Sequence, residues 1–207
     1  MTQLFTEEWI VEPCDRKDIK AFIEENHYSE SINGVKSSHC FRLLRQGQLV
    51  GAILFGDLAM ANAWRKYADT EKAVIELRRL ILIDDTPRNS ESFFVGKALK
   101  WLKNNTQIKT IISYADPNYG HSGIVYKATN FTHIGMTSPG RVILWDGKRY
   151  HDKTIRSKYK GNLKPFALKV RKALESGEAH YITQEPKHIY RLDFNRKNRI
   201  RPSKYRK

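Results

Sequence analysis

Several short stretches hold residue types able to do chemistry: His27-Tyr28, Arg78-Arg79, Ser92, Asp116 and Tyr126. An imidazole near neutral pH serves as a base or as a neutral metal ligand, and the neighbouring Tyr28 phenol as a donor or an anionic ligand. A buried histidine hydrogen-bonded at a helix end is the structural alternative for His27. Asp116 ends a run of strand-forming residues, on the same face as Ile112 and Tyr114, and precedes Pro117. Asp-Pro commonly shapes a turn, and an aspartate caps the backbone that follows it. Paired with His27, the same carboxylate can orient the imidazole or complete a metal site.

Those side chains need elements to position them. WIVEP reads as a short strand, and a helix begins near Asp15, with Ile19, Ile23 and His27 at four-residue spacing on one inward face. CFRLLRQGQLVGAILFG reads as a hairpin reversing at Arg45-Gln46-Gly47-Gln48. AVIELRRLILID has apolar residues on both faces, as a central strand does; adjacent Arg78 and Arg79 then point to opposite faces. One arginine of such a pair can hold an anion, and the other is structural or a surface cation.

Phe94, Ala98, Trp101 and Leu102 mark an amphipathic helix, started by Ser90 or Ser92 as cap. A strand follows in TIISYAD, then a helix in GHSGIVYKATNF with Ile124, Val125 and Ala128 toward the core, then a strand in RVILWDGKRY. Pro165 and Gly177 bracket a further helix. AHYITQ and HIYRLDF read as two short strands, and the final RKNRIRPSKYRK as a segment that nucleic acid would order.

The chain of 207 residues is 40% hydrophobic, enough for a well-buried core, and has neither a membrane-length apolar run nor a signal-peptide pattern. That points to a cytoplasmic protein without membrane partners. Cys14 and Cys40 form no CxxC pair and are expected as core thiols. Charge is uneven: residues 141–207 carry 20 Lys+Arg against 6 Asp+Glu, a net +14, leaving 17 against 16 in residues 1–140. Tyr150, Tyr159, Phe166, Tyr181, Tyr190, Phe194 and Tyr205 lie among those cations, offering rings to stack on bases. With ~6 phosphate contacts, log affinity for DNA falls against log salt with a slope of about −5.

The element order over residues 8–145 resembles the GNAT acyltransferase fold, a mixed α/β architecture with a largely antiparallel central sheet flanked by helices. HYS at 27–29, ELRRLILID at 76–84, SYAD at 113–116 and GHSGIVYKATNF at 120–131 together look like the phage Mom family. DGKRYH and PKHIY extend the likeness into the basic region. The resemblance implies a catalytic domain over 1–145 and a DNA-contacting basic extension over 146–207. It implies transfer of a carbamoylmethyl group from a small-molecule donor to N6 of an adenine flipped out of double-stranded DNA, protecting phage DNA from restriction. It also places Asp116 where a GNAT sheet splays open, makes Tyr126 a candidate general acid and Ser92 a donor-binding residue or a cap, and nominates iron held by His27, Tyr28 and Asp116. His39 or His121 is an alternative ligand where a facial triad has a second histidine.

One feature departs from the GNAT pattern. Where a glycine-bearing pyrophosphate loop is usual, this chain has Pro87-Arg88-Asn89-Ser90-Glu91-Ser92; backbone amides at a helix start can still bind an anion, but the missing glycines limit close approach and count against acyl-CoA. The competing functions are a CoA-dependent N-acyltransferase acting on another amine or hypermodified base, and a non-catalytic nucleic-acid-binding protein.

Overall fold

The computed structural model describes residues 9–26, 32, 34–60 and 62–194. Its contacts divide the chain into two units: one takes the described residues up to Tyr114, Gly123–Ile134 and those from Ile189, the other Ala115–Ser122 and Gly135–His188. No helix among the described residues is long and apolar enough to cross a membrane.

In chain order the elements are β1 (Trp9–Cys14), α1 (Arg16–Asn26), β2 (His39–Arg45), β3 (Gln48–Gly56), β4 (Val74–Leu82), α2 (Ser90–Asn105), β5 (Thr110–Ala115), α3 (Ile124–Ala128) and β6 (Thr132–Met136). They continue as β7 (Gly140–Trp145), β8 (Lys148–His151), β9 (Lys158–Tyr159), β10 (Asn162–Leu163), α4 (Pro165–Ser176), β11 (Ala179–Gln184) and β12 (His188–Asp193). The seven-stranded sheet runs β1-β2-β3-β4-β5-β12-β6. Pairing is antiparallel from β1 through β4 and parallel between β4 and β5. This is the expected mixed, largely antiparallel sheet with flanking helices.

Local chemistry explains the elements of the first unit. The β2–β3 reversal occurs at Gln46 and Gly47, both at positive φ, the backbone a two-residue hairpin turn requires. Ile19 and Ile23 of α1 are fully buried against Ala52, Leu54 and Ile81, so α1 covers that face. On α2, Phe94, Val95, Ala98, Leu99 and Leu102 form the buried stripe. Trp101 of α2 meets Phe41 edge-on at 5.4 Å. Cys14 and Cys40 face each other across β1 and β2 as free thiols.

Two local expectations are corrected, and one strand is added. RVILWDGKRY is a hairpin, not a strand: β7 reverses into β8 through Asp146 and Gly147, both at positive φ. THIGM forms a strand of its own, β6. In α3 no residue is buried, and Ile124 is 73% exposed. The helix is a short turn whose packing falls to Tyr126, with Phe131 at 5.6 Å and Tyr190 at 5.3 Å.

The second unit has its own sheet, β11-β7-β8, covered by α4. Ile143, Val170, Ala173 and Ala179 make its core, with Trp145, Tyr150 and Ile155 against it. Pro165 occupies the first turn of α4 and Gly177 ends it at φ 83°, as anticipated.

Candidate functional site

β4 and β5 pair in parallel from Val74 opposite Thr110 to Leu77 opposite Ser113 and no further, whereas β4 continues to Leu82 along β3. Beyond Leu77, then, β4 has β3 on one side only. At the same place β4 is bulged. Leu54 faces Arg79 and Phe55 faces Leu77, so Arg78 is the extra residue. Both arginines lower the pKa of one carboxylate, that of Glu76, Arg78 by a hydrogen bond and its charge and Arg79 by its charge.

Glu76 is only 8% exposed. Its Oε2 accepts from the Ala59 backbone N–H at 3.1 Å and from Arg78 Nη1 at 3.3 Å. Arg78 Nη1 also donates to the Asp57 carbonyl at 3.2 Å, and Arg79 Nη1 to the Arg78 carbonyl at 2.8 Å. Burial pushes the Glu76 carboxyl above the usual range; Arg78, the Ala59 amide and Arg79 pull it back only in part. Both of Glu76's hydrogen bonds named above fall on Oε2.

Ile112 is the partner of Glu76 across the parallel ladder, and Tyr114, two residues on, shares its face. Burial, joined by a hydrogen bond to Tyr67 and the negative charge of Glu76, drives the Tyr114 phenol well above its ordinary value. Tyr114 is thus held as a protonated phenol, its O–H turned to Tyr67. Glu76, Tyr114 and Tyr67 are the residues sequence reasoning passed over. The available signal was Glu76 itself, an acid alternating with arginine in an otherwise apolar central strand.

At the start of α2, neither Ser90 nor Ser92 is the cap. Asn89 takes that position at φ 73°, a left-handed backbone that asparagine tolerates better than most residues. Ser90 Oγ donates to the Pro87 carbonyl at 2.6 Å, and Ser92 Oγ to the Asn89 carbonyl at 3.0 Å. Asn89 thereby supplies the positive φ that a glycine would give in a pyrophosphate loop.

Asp116 lies in the second unit and is 4% exposed. Its Oδ1 accepts from the Asn118 backbone N–H at 3.1 Å and from Asn118 Nδ2 at 2.8 Å, and its Oδ2 pairs with Lys187 Nζ at 2.7 Å. Asn118 Nδ2 and Oδ1 in turn bond the backbone of Glu185. Burial opposes the charge on Asp116, but Lys187 and Asn118 outweigh it and hold the carboxyl below the usual range. Both oxygens are engaged in a turn that ties residues 116–118 to residues 185–187.

Tyr126 stacks on Phe131 and Tyr190 within the first unit. His39 is half-buried beside Trp101, its ring at 6.2 Å, and burial lowers its pKa. His121 is exposed. His27 and Tyr28 lie outside the described residues. Among the described residues, no group of three or more His, Cys, Asp or Glu side chains is placed to hold a metal ion.

Comparison with known proteins places this geometry. The model of the Mom protein family matches residues 8–207. The methylcarbamoylase Mom of Escherichia phage Mu is 31% identical over 169 residues, covering 80% of this chain and 68% of that one. In three dimensions the chain is similar to the aminoglycoside acetyltransferase AAC(6')-Ib solved with acetyl-CoA, at 10% identity over 96% of this chain and 100% of that one, with a TM-score of 0.55. It is also similar to a Bacillus subtilis acetyltransferase solved with CoA, at 11% identity over 90% and 99% of the two chains, with a TM-score of 0.52. At these identities the structural likeness establishes the fold, that of the GNAT acetyltransferases.

Proposed function

The chain belongs to the Mom protein family, and from that membership we propose that it modifies phage DNA by placing a carbamoylmethyl group on N6 of adenine. The observation that carries the reading is the family match across residues 8–207. Glu76 gives it a chemical basis.

Adenine N6 is a weak nucleophile because its lone pair is delocalised into the ring. The net change replaces one N6 hydrogen by CH2–C(O)NH2: an N–C bond forms, the donor's bond to its methylene breaks, and a proton leaves N6. The Glu76 carboxylate is the acceptor for that proton, its basicity raised by burial. Arg78 and Arg79 supply positive charge against an anionic donor. N6 is occupied by base pairing inside a duplex, so the adenine is flipped out, and the basic residues of 141–207 bind the DNA that presents it.

Iron follows from the family resemblance. Asp116, the nominated ligand that is described, does not fit in this arrangement: a metal would have to displace the Lys187 ammonium 2.7 Å from Oδ2 and the Asn118 donors on Oδ1. No step above is routed through a metal.

A second reading, a CoA-dependent N-acyltransferase on another amine, is favoured by two observations. β4 and β5 part beyond Leu77 and Ser113, and Asn89 supplies a left-handed turn at the start of α2. Nucleoside digestion and mass spectrometry of DNA from cells expressing the chain separate the two. Carbamoylmethyl-adenosine that disappears in Glu76→Gln supports the first; unmodified DNA, with CoA released from acetyl-CoA in vitro, replaces it with the second.

A further inference from the structure

β3 and β4 are antiparallel neighbours, which about two to five residues can join, yet the chain spends residues 57–73 on the connection. That stretch holds two 3-10 turns, at Ala63–Lys66 and Glu71–Ala73. Its two flanks differ in chemistry.

One flank borders two cavities, of about 620 and 460 Å³, that share Thr70, Ala73 and Lys109 and so form one groove. Six cations line it: Arg65, Lys66 and Lys72 from the connection, Lys103 from α2, Lys109 before β5 and Arg191 from β12. Against them stand Asp69 and Asp193. Asp193 is already occupied, accepting from Arg191 Nε at 2.9 Å and from Thr110 Oγ1 at 2.7 Å. Among the described residues Lys66, Lys72, Lys103 and Lys109 have no ion-pair partner. All of these except Arg191 and Asp193 come from residues 1–140, whose formal charge nearly cancels.

The other flank encloses a cavity of about 330 Å³ lined by Leu58, Met60, Trp64 and Arg78. Met60 is 71% exposed, an apolar side chain open to solvent. Arg78 connects this cavity to Glu76, and Ala59, whose N–H holds Glu76 Oε2, belongs to the same wall. Arg65 joins the flanks, lining the groove while its guanidinium carbon sits 5.4 Å from the Trp64 ring centroid.

We infer that residues 57–73 are a nucleic-acid-reading loop: the cationic groove takes the sugar-phosphate backbone of DNA, and the Trp64 cavity takes an unstacked base beside Glu76. Phosphate binds to lysines by charge without regard to sequence, and a base of any identity stacks on an indole ring. The inference rests on the proposed DNA-modifying function and goes beyond it by locating the surface in the first unit, on cations that, Arg191 excepted, come from outside residues 141–207.

The test measures binding by the full chain, without turnover, to a labelled duplex carrying 2-aminopurine at the target adenine, across a range of NaCl concentrations. Lys72→Glu with Lys109→Glu should weaken binding at least tenfold and flatten the slope of log affinity against log salt by about 2. Lys17→Glu with Lys20→Glu on α1 makes the same change in net charge and should leave the slope alone. Trp64→Ala should keep the slope and abolish the quenching of 2-aminopurine that stacking on the indole produces. Circular dichroism confirms that each variant folds. An unaltered slope in the Lys72/Lys109 variant, an equal loss in the α1 control, or unchanged quenching in Trp64→Ala overturns the inference. Adenine left unmodified despite binding through this loop overturns the reaction and not the loop; modified DNA with unaltered binding in these variants does the reverse.

Discussion

Lys187 Nζ sits 2.7 Å from Asp116 Oδ2, and the remaining oxygen of that carboxylate is held by the backbone and side chain of Asn118. The two partners differ in exposure, since the Asp116 side chain is 5% exposed and that of Lys187 43%. Loss of the aspartate therefore frees an ammonium to turn to water, whereas loss of the lysine strands a carboxylate.

Asp116→Asn is expected to cost about 1–3 kcal/mol at neutral pH, and Lys187→Met more. The sign with pH follows from the lowered pKa of Asp116. A carboxyl depressed in the folded state contributes stability that is complete above its unfolded value of about 3.9 and is lost as pH falls through the folded value. Thermal melts of the wild type and Asp116→Asn should differ at pH 7 and converge in strong acid. An equal difference at both ends would show that the charge is not what Asp116 contributes.

Glu76→Gln separates catalysis from folding. Removing a general base costs about 10²- to 10⁴-fold in rate, so the modified nucleoside should fall by that much. Stability should not fall with it. The Glu76 pKa is raised, so the ionised form is disfavoured in the folded state and stability declines as pH rises from the unfolded value toward the folded one. At neutral pH the glutamine variant should melt at or above the wild-type temperature, and wild-type activity should drop as pH falls through the raised pKa. A variant that loses activity only because it unfolds would remove Glu76 from the mechanism.

The fold was legible wherever the signal is local. Apolar spacing gave α1 and α2, Gln46-Gly47 the first hairpin, and Pro165 with Gly177 the ends of α4. Relations that depend on distant pairing were not legible. The bulge at Arg78 arises only when β4 is laid against β3, and without it Glu76 reads as one acid in an alternating strand. Tyr190, grouped by sequence with rings available to bases, is 1% exposed, because β12 is an inner strand of the large sheet, between β5 and β6. Asp146-Gly147 carried a clear hairpin signature; two flanking runs of strand formers masked it.

Tyr190 explains one glycine. Gly123 has φ 77°, and a methyl group added there would meet Cε2, Cζ and Oη of Tyr190. The ring cannot retreat, since Tyr126 and His133 each lie 5.3 Å from it, centroid to centroid. Gly123→Ala should lower stability by about 2–4 kcal/mol through overpacking and the positive φ together. Gly120→Ala, also at φ 75° but with open space around its Cβ, separates the two causes. It should cost only the backbone share, about 1 kcal/mol. Equal melting temperatures for the two variants would show that Tyr190 is not the constraint.

The basic end of the chain gives the last prediction. Arg196, Lys197, Arg199, Arg201, Lys204, Arg206 and Lys207 fall within residues 195–207, with no acid among them. Each cation that neutralises a phosphate releases a counterion and adds about 0.9 to the slope of log affinity against log salt. If most of these seven touch DNA, removing residues 195–207 should flatten that slope by about 4 to 6. A smaller change would assign most phosphate contacts to the rest of the chain, and then Lys72 and Lys109 should account for the slope that survives. Measuring the truncation alone, the Lys72/Lys109 variant alone and the two together decides between these cases: independent surfaces give additive losses of slope, and a shared path on the DNA gives less than the sum.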